Sequence, residues 1–205
     1  MNKKEHWEDI YQSKSAVEVS WYQQQPTLSL RLIHQFAPQH TDHIIDVGGG
    51  ASTLCDHLLQ DGYQHITVLD LSANALRQAQ QRLGEKAECI HWQEEDITQF
   101  APDGQYDLWH DRAVFHFLTA ANDRQRYRQV LETAVRNGGY VIIAAFAIGG
   151  PTQCSGLDIV QYDAGKLKTT LGEKFTLVAE QTENHLTPSG KQQAFGYFVF
   201  HKKVN

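Results

Sequence analysis

Cysteine is scarce: only Cys55, Cys89 and Cys154 occur in 205 residues, odd in number and widely spaced. That pattern excludes a disulfide framework and C-x-x-C metal pairs, and it points to a reducing cytoplasm. The 11 histidines show no H-x-x-x-H spacing, so no metal is expected. No block of like charge accompanies the net charge of −6. Nucleic acid and anionic membrane surfaces are therefore not the expected partners. No apolar run is long enough to span a bilayer; the longest, 140–148, fits a buried strand. Residues 1–7 are polar, without the apolar core of a signal peptide. Neither a repeat nor a dividing linker appears. A chain of this length can bury a full core, and a single domain over 1–205 is expected.

What is present is alternation. Trp7, Ile10 and Tyr11 at helical spacing predict a short helix over 4–13. Ser13 to Tyr22 has no period and reads as an ordered loop or cap. Pro26 is expected at the first position of a helix with Leu28, Leu30, Leu32, Ile33 and Phe36 on its apolar side. These elements form an N-terminal helical cap over 1–38. From residue 43, strands 43–47, 66–70, 89–92, 106–109 and 140–146 alternate with helices 52–61, 73–83 and 121–136. Ser72 is the expected N-cap of the second helix. Asn137-Gly138-Gly139 is expected to end the third. Strands alternating with helices imply an α/β fold with a parallel sheet and right-handed crossovers. A short helix over 164–172 is followed by strands 175–180 and 194–200, with Pro188-Ser189-Gly190 as a turn. That makes a terminal β-hairpin.

The stretch His43-Ile44-Ile45-Asp46-Val47-Gly48-Gly49-Gly50-Ala51-Ser52 organises the chain. It reads as buried strand, glycine turn and helix start, where a ligand can approach bare backbone. The dinucleotide pattern G-x-G-x-x-G fits poorly, because position 53 is Thr. Asp46 is unfavourable beside a pyrophosphate but suits an ammonium or sulfonium. With Asp46, Gly48 and Gly50 in place, and Ser52 in place of the last glycine, the stretch resembles the D/E-x-G-x-G-x-G motif of class I S-adenosylmethionine-dependent methyltransferases. The five βα units and terminal hairpin are likewise similar to that family's Rossmann-like seven-strand sheet, over roughly residues 40–203. Ser20-Trp21-Tyr22-Gln23, the 110–117 stretch and Cys154-Ser155-Gly156-Leu157 resemble a group of small, largely uncharacterised bacterial methyltransferases. The Asp46-to-Cys55 stretch is also similar to some protein lysine methyltransferases.

The resemblance implies S-adenosylmethionine as cofactor, held by Asp46, Gly48, Gly49, Gly50, Asp70, Leu71, Asp96, Ile97, Trp21 and His110. Asp70 ends the second strand, 24 residues after Asp46. An acid there can take both ribose hydroxyls or cap a helix. In the family, the acid at Asp96 receives the adenine amino group and the apolar residue at Ile97 packs on the ring. Glu94 and Glu95 are the solvated alternatives. Trp21 and Tyr22 either close over the sulfonium or fill the cap's core. After the fourth strand, His110, Asp111 and Arg112 are the candidate catalytic residues, at the rim where ligands bind in open α/β sheets. His110 is the preferred base. Asp111 is a helix cap otherwise, and Arg112 either holds an acidic acceptor or pairs with Asp111. The stretch lacks the N-P-P-Y sequence of the adenine and glutamine methylating groups. The loop after the fifth strand is a substrate-loop candidate, with Cys154 as a reactive or inert thiol.

The expected function is in-line methyl transfer to a small-molecule acceptor, since no recognition domain is added. A protein lysine acceptor is the alternative of the same chemistry. A NAD-dependent oxidoreductase and a non-catalytic nucleoside-binding protein are the alternatives of other classes. Asp46 and the hairpin oppose the former, and the polar cluster at 110–112 opposes the latter. The sequence is silent on oligomeric state.

Overall fold

The computed structural model describes residues 3–204; Met1, Asn2 and Asn205, which the expected cap and domain limits include, lie outside them. A seven-stranded sheet runs through the molecule in the order β3-β2-β1-β4-β5-β9-β8. Its strands are β1 (His43–Val47), β2 (His65–Asp70), β3 (Ile90–Glu94), β4 (Tyr106–Arg112), β5 (Val135–Phe146), β8 (Phe175–Leu186) and β9 (Gln192–Lys202). β1 to β5 pair in parallel, while β9 is antiparallel to both β5 and β8. This is the Rossmann-like methyltransferase sheet expected from the sequence, terminal hairpin included. Two short strands, β6 (Gln153–Cys154) and β7 (Leu157–Asp158), fold the loop after β5 into a separate hairpin. Ser155 and Gly156, both at positive φ, form its turn.

Alternate residues along a strand face opposite sides of the sheet. Ile45, Val47, Trp109, Val141 and Ile143 pack on one side, against α5 (Ala121–Ala134) and α6 (Ala164–Leu171). Ile44, Leu108, Ile142 and Ala144 pack on the other, against α2 (Thr27–Phe36) and α3 (Leu54–Gln60). Both faces are covered, which is why the inner strands read as continuous apolar runs. α4 (Ala73–Leu83) starts at Ser72, whose Oγ accepts from Ala75 N at 3.1 Å, as a capping serine should. α1 (Lys3–Ser13) lies against α4.

Several boundaries differ from the sequence reading; the hairpin strands run longer, over Phe175–Leu186 and Gln192–Lys202, and three other differences change how residues are placed. Pro26 is the N-cap of α2 rather than its first helical residue. α5 ends at Ala134 and runs straight into β5. Asn137-Gly138-Gly139 is therefore no helix cap. The register jumps from Tyr106↔Val135 to Leu108↔Tyr140, so this segment bulges out of β5, with Gly138 at φ +77°. β4 does not stop at Trp109. It continues through His110, Asp111 and Arg112, which are opposite Ile142, Ile143 and Ala144 of β5.

Candidate active site

The C-terminal ends of β1, β2 and β4 open into a cleft, as the switch-point rule for such sheets requires. After β1 the chain turns at Gly48, with φ +68°. Gly48 N and Gly49 N both donate to Leu69 O, at 2.7 and 3.3 Å. The turn admits no side chains. A Cβ on Gly48 would lie 2.0 Å from Val114, one on Gly49 2.5 Å from an Asp46 carboxylate oxygen, and one on Gly50 2.4 Å from an Asp70 oxygen. The bare turn is what lets both carboxylates approach it.

Two adjoining clefts lie here, of about 840 and 530 Å³ counting the space open to solvent, with Tyr11, Trp21, Gly48 and Arg112 lining both. The larger holds Asp70, Leu71, Asp96 and Ile97. Asp70 is buried and one of its oxygens accepts from Ser72 N at 2.8 Å. Burial first, then neighbouring Asp46, pushes its carboxyl up to about 7, against the Ser72 hydrogen bond, which lowers it. Asp96 spends Oδ1 on Thr98 N and Oγ, at 2.8 and 2.9 Å. The smaller cavity holds Asp46, Gly49, His110 and Ser29. The two cavities thus gather every residue expected to hold the cofactor except Gly50, which lies against Asp70.

The trio after Trp109 does not form a cluster. As strand residues, His110 and Asp111 face opposite sides of the sheet. His110 is 2% exposed, and both its ring nitrogens are taken, by Asp46 Oδ1 at 2.7 Å and Ser29 Oγ at 2.9 Å. Asp111 is fully buried on the α5 side. It accepts from Val114 N at 3.0 Å, Phe115 N at 3.2 Å and Tyr127 OH at 2.7 Å. Burial pushes its carboxyl up to about 6. It holds the tight turn in which Ala113 takes φ +72°, an unfavourable geometry for a residue with a Cβ. Arg112 does not pair with Asp111. Its guanidinium donates to Tyr197 OH at 2.9 Å and to Trp21 O at 3.0 Å, meets Glu183 at 3.5 Å, and lies over the Phe195 ring.

Sequence reasoning expected Trp21 at a roof over the cleft and missed its other members. Trp7 and Tyr11 of α1 line the larger cavity with Trp21 and Phe117. The Trp21 indole N–H donates to Tyr11 OH at 3.1 Å. Trp7 meets Trp21 and Phe117 edge to face, at 5.6 and 5.1 Å. Their aromatic character at 7, 11 and 21 was the available signal. Glu8 docks this roof. Its carboxylate accepts from Ser72 Oγ, Ala73 N and Asn74 N at 3.1, 2.7 and 3.1 Å. It therefore satisfies the free N–H groups of α4 from another helix. From the far side, Glu183 accepts from Gln23 Nε2 at 3.0 Å, and His185 bonds Ser20 O at 2.7 Å. Cys154 lines the larger cavity and is no exposed loop thiol; burial pushes it up to about 11.

Residues 45–141 match the Methyltransf_12 family, a methyltransferase domain. An eEF1A lysine and N-terminal methyltransferase of Mus musculus is 24% identical over 127 residues, which make up 62% of this chain and 18% of that protein. The chain thus spans about a fifth of such a relative. A structure solved for the conversion of a disulfide bond into a thioacetal group during echinomycin biosynthesis superposes with TM-score 0.79 at 18% identity, over 98% of this chain and 93% of that one. The 1,6-didemethyltoxoflavin-N1-methyltransferase of Burkholderia thailandensis, with its acceptor and S-adenosylhomocysteine bound, gives 0.69 at 15% identity, over 98% and 84%. Residues 45–141 thus match a methyltransferase domain, set in a seven-strand sheet of the class I methyltransferase fold.

Proposed function

We propose that this chain is an S-adenosylmethionine-dependent methyltransferase and that it acts on a small-molecule acceptor inside the roofed cleft. The observation that carries this reading is the enclosure: Trp7, Tyr11, Trp21 and Phe117 line the larger cavity, and the chain's own N-terminal segment supplies three of the four. The toxoflavin-precursor enzyme with the same fold offers a precedent for a small acceptor.

The residues present fit the cofactor. Bound there, S-adenosylmethionine supplies a methyl group activated by a positive sulfur. Asp70 receives ribose hydroxyls, Asp96 receives an amino group, and Leu71 and Ile97 provide apolar contact for the base. Asp46, behind the Gly48–Gly50 turn, meets the ammonium end. His110 holds Asp46 in place and Ser29 holds His110. With both ring nitrogens engaged, His110 supports donor binding better than it supports proton removal. Asp111 shapes the turn after β4, and Arg112 ties that turn to the roof, so both position rather than react. The roof excludes water, and the acceptor is aligned by enclosure. The bound donor would supply transfer of its methyl carbon to the acceptor's lone pair, with the carbon–sulfur pair returning to sulfur and any acceptor proton lost to solvent as the product leaves the cleft.

Residues 1–205 are proposed to work as one unit, with 1–38 as cap and 40–203 as donor-binding core. The three free thiols fit a cytoplasmic setting. Among the described residues, no helix is long and apolar enough to cross a membrane. A protein acceptor is the second reading, favoured by the similarity to the eEF1A methyltransferase. Incubating cell extract with the enzyme and methyl-labelled S-adenosylmethionine, then separating label by size, tests the proposal. Label in the small-molecule fraction is expected; label only in macromolecules overturns it.

A further inference from the structure

We propose that the acceptor is an uncharged, flat aromatic or heteroaromatic molecule, held edge to face in the Trp7–Trp21–Phe117 box with a polar atom at the Tyr11 hydroxyl. This rests on the small-molecule reading above and adds the class. The acceptor end of the cleft offers few free polar groups. Asp70 and Asp96 are committed to the donor. Arg112 faces the cavity, but its guanidinium is spent on Tyr197, Trp21 O and Glu183. Lys3 is paired with Asp123 at 3.0 Å. Cys154 keeps its proton at neutral pH. Apart from the half-buried carboxylate of Glu95, which would repel an entering anion, what is left is apolar and largely aromatic: Trp7 stands at 83° to Trp21 and 76° to Phe117, and Tyr11 at 74° to Trp21.

A carboxylate entering this space would be desolvated with no free cation to meet it. An ammonium would meet the donor's positive sulfur in the same cavity, and a protonated amine has no lone pair to accept the methyl. A neutral ring loses nothing of that kind. It meets ring edges and faces at the 4.5–7 Å spacing that aromatic pairs favour. One polar contact is available. Tyr11 OH accepts from the Trp21 indole, and among the described residues no protein group takes its own proton. Burial, with Asp70 nearby, holds the phenol far above its ordinary range, so it stays a donor.

The test uses the full chain and begins with calorimetry of S-adenosylmethionine. Failure to bind would sink the methyltransferase reading itself, and the acceptor class with it. With S-adenosylhomocysteine present, quenching of tryptophan fluorescence is titrated with 4-hydroxyquinoline and 2-naphthol, and with benzoate and L-lysine as charged probes. The neutral rings should quench saturably and bind about tenfold or more tighter than the charged probes. Trp7→Ala should weaken them about tenfold, the scale of one strong aromatic contact, with Trp7→Phe restoring most of it. Tyr11→Phe should weaken both neutral probes, since each carries a hydrogen-bond acceptor for the Tyr11 hydroxyl. S-adenosylmethionine affinity should change less than about twofold in Trp7→Ala. Equal or tighter binding of benzoate or lysine overturns the proposal, as does no saturable binding of either neutral ring. So does a Trp7→Ala variant that loses the cofactor as strongly as the ring, since the box would then hold the adenine.

Discussion

Gly50→Ala adds a single methyl at the point where the turn after β1 meets the end of β2. The new Cβ would lie 2.4 Å from an Asp70 oxygen and 2.8 Å from the Cβ of Ala75, which is fully buried at the start of α4. Both distances are below contact. Ala75 belongs to helix backbone and cannot yield, so Asp70 or the turn must move. Overpacking of this kind costs about 1–3 kcal/mol of stability. The functional cost is separate. Displacing Asp70 forfeits its hydrogen bonds to the donor's hydroxyls, about 1.5–3 kcal/mol for a charged acceptor, or roughly 10- to 150-fold in affinity. Urea unfolding gives the first number and calorimetry with S-adenosylhomocysteine the second. Gly104→Ala is the control, since nothing lies within 4 Å of a Cβ there. Gly50→Ala binding the donor within about twofold of the parent would refute the assignment of Asp70 to the donor.

Donor affinity should rise with pH through about 7, because Asp70 must be ionised to accept two hydroxyls and its carboxyl sits near 7 in the free protein; Asp70→Asn should flatten that calorimetric profile. The stability effect has the opposite sign. The folded value lies above the ordinary one near 4, so burial of the charge penalises folding above pH 7, and the penalty fades as pH falls from 7 toward 4. Asp111→Ala should destabilise by about 3 kcal/mol or more, since it orphans Val114 N, Phe115 N and Tyr127 OH in the core; thermal melting reads this. His110→Ala should weaken donor binding while leaving saturated turnover within about tenfold, and a loss of 10²-fold or more at saturation would restore the base assignment. Glu8→Ala should free α1 from α4 at a cost of about 0.5–2 kcal/mol, seen as faster amide exchange over 3–13 with exchange of the central strands unchanged.

The parallel units and the hairpin were legible because apolar runs and turn residues fall at the spacings that strands and helices impose. The donor residues were legible for a related reason: Asp46, Asp70 and Asp96 each sit at the end of a strand, where sequence position fixes location. The trio at 110–112 was misplaced because polar residues after an apolar run look like the end of a strand. β4 goes on because its neighbours β1 and β5 go on, and their partners to those side chains are distant in sequence: Ser29, Tyr127, Tyr197 and Glu183. The anchoring of the roof escaped notice for the same cause. Nothing near Glu8 in the chain announces that its carboxylate caps a helix 64 residues away.

The grip of β8 on the cap bears on how the site comes into being. Gln181, Glu183 and His185 alternate along β8 on one face and hold Arg31, Gln23 and Ser20 O in turn. β8 reaches the sheet only through β9, which must first slot in beside β5. A ribosome delivers residues 3–25 early and 192–202 late, so the entrance segment, already held on α4 by Glu8, gains its anchors on β8 only when nearly the whole chain is out. Closing it is a long-range event, slow in the way that distant contacts are slow. The far side of the cap is therefore fixed only with the final hairpin. A chain stopped short of β9 would keep its glycine turn, its three acids and the Glu8 anchor, and would lack the hold of β8 on Ser20, Gln23 and Arg31.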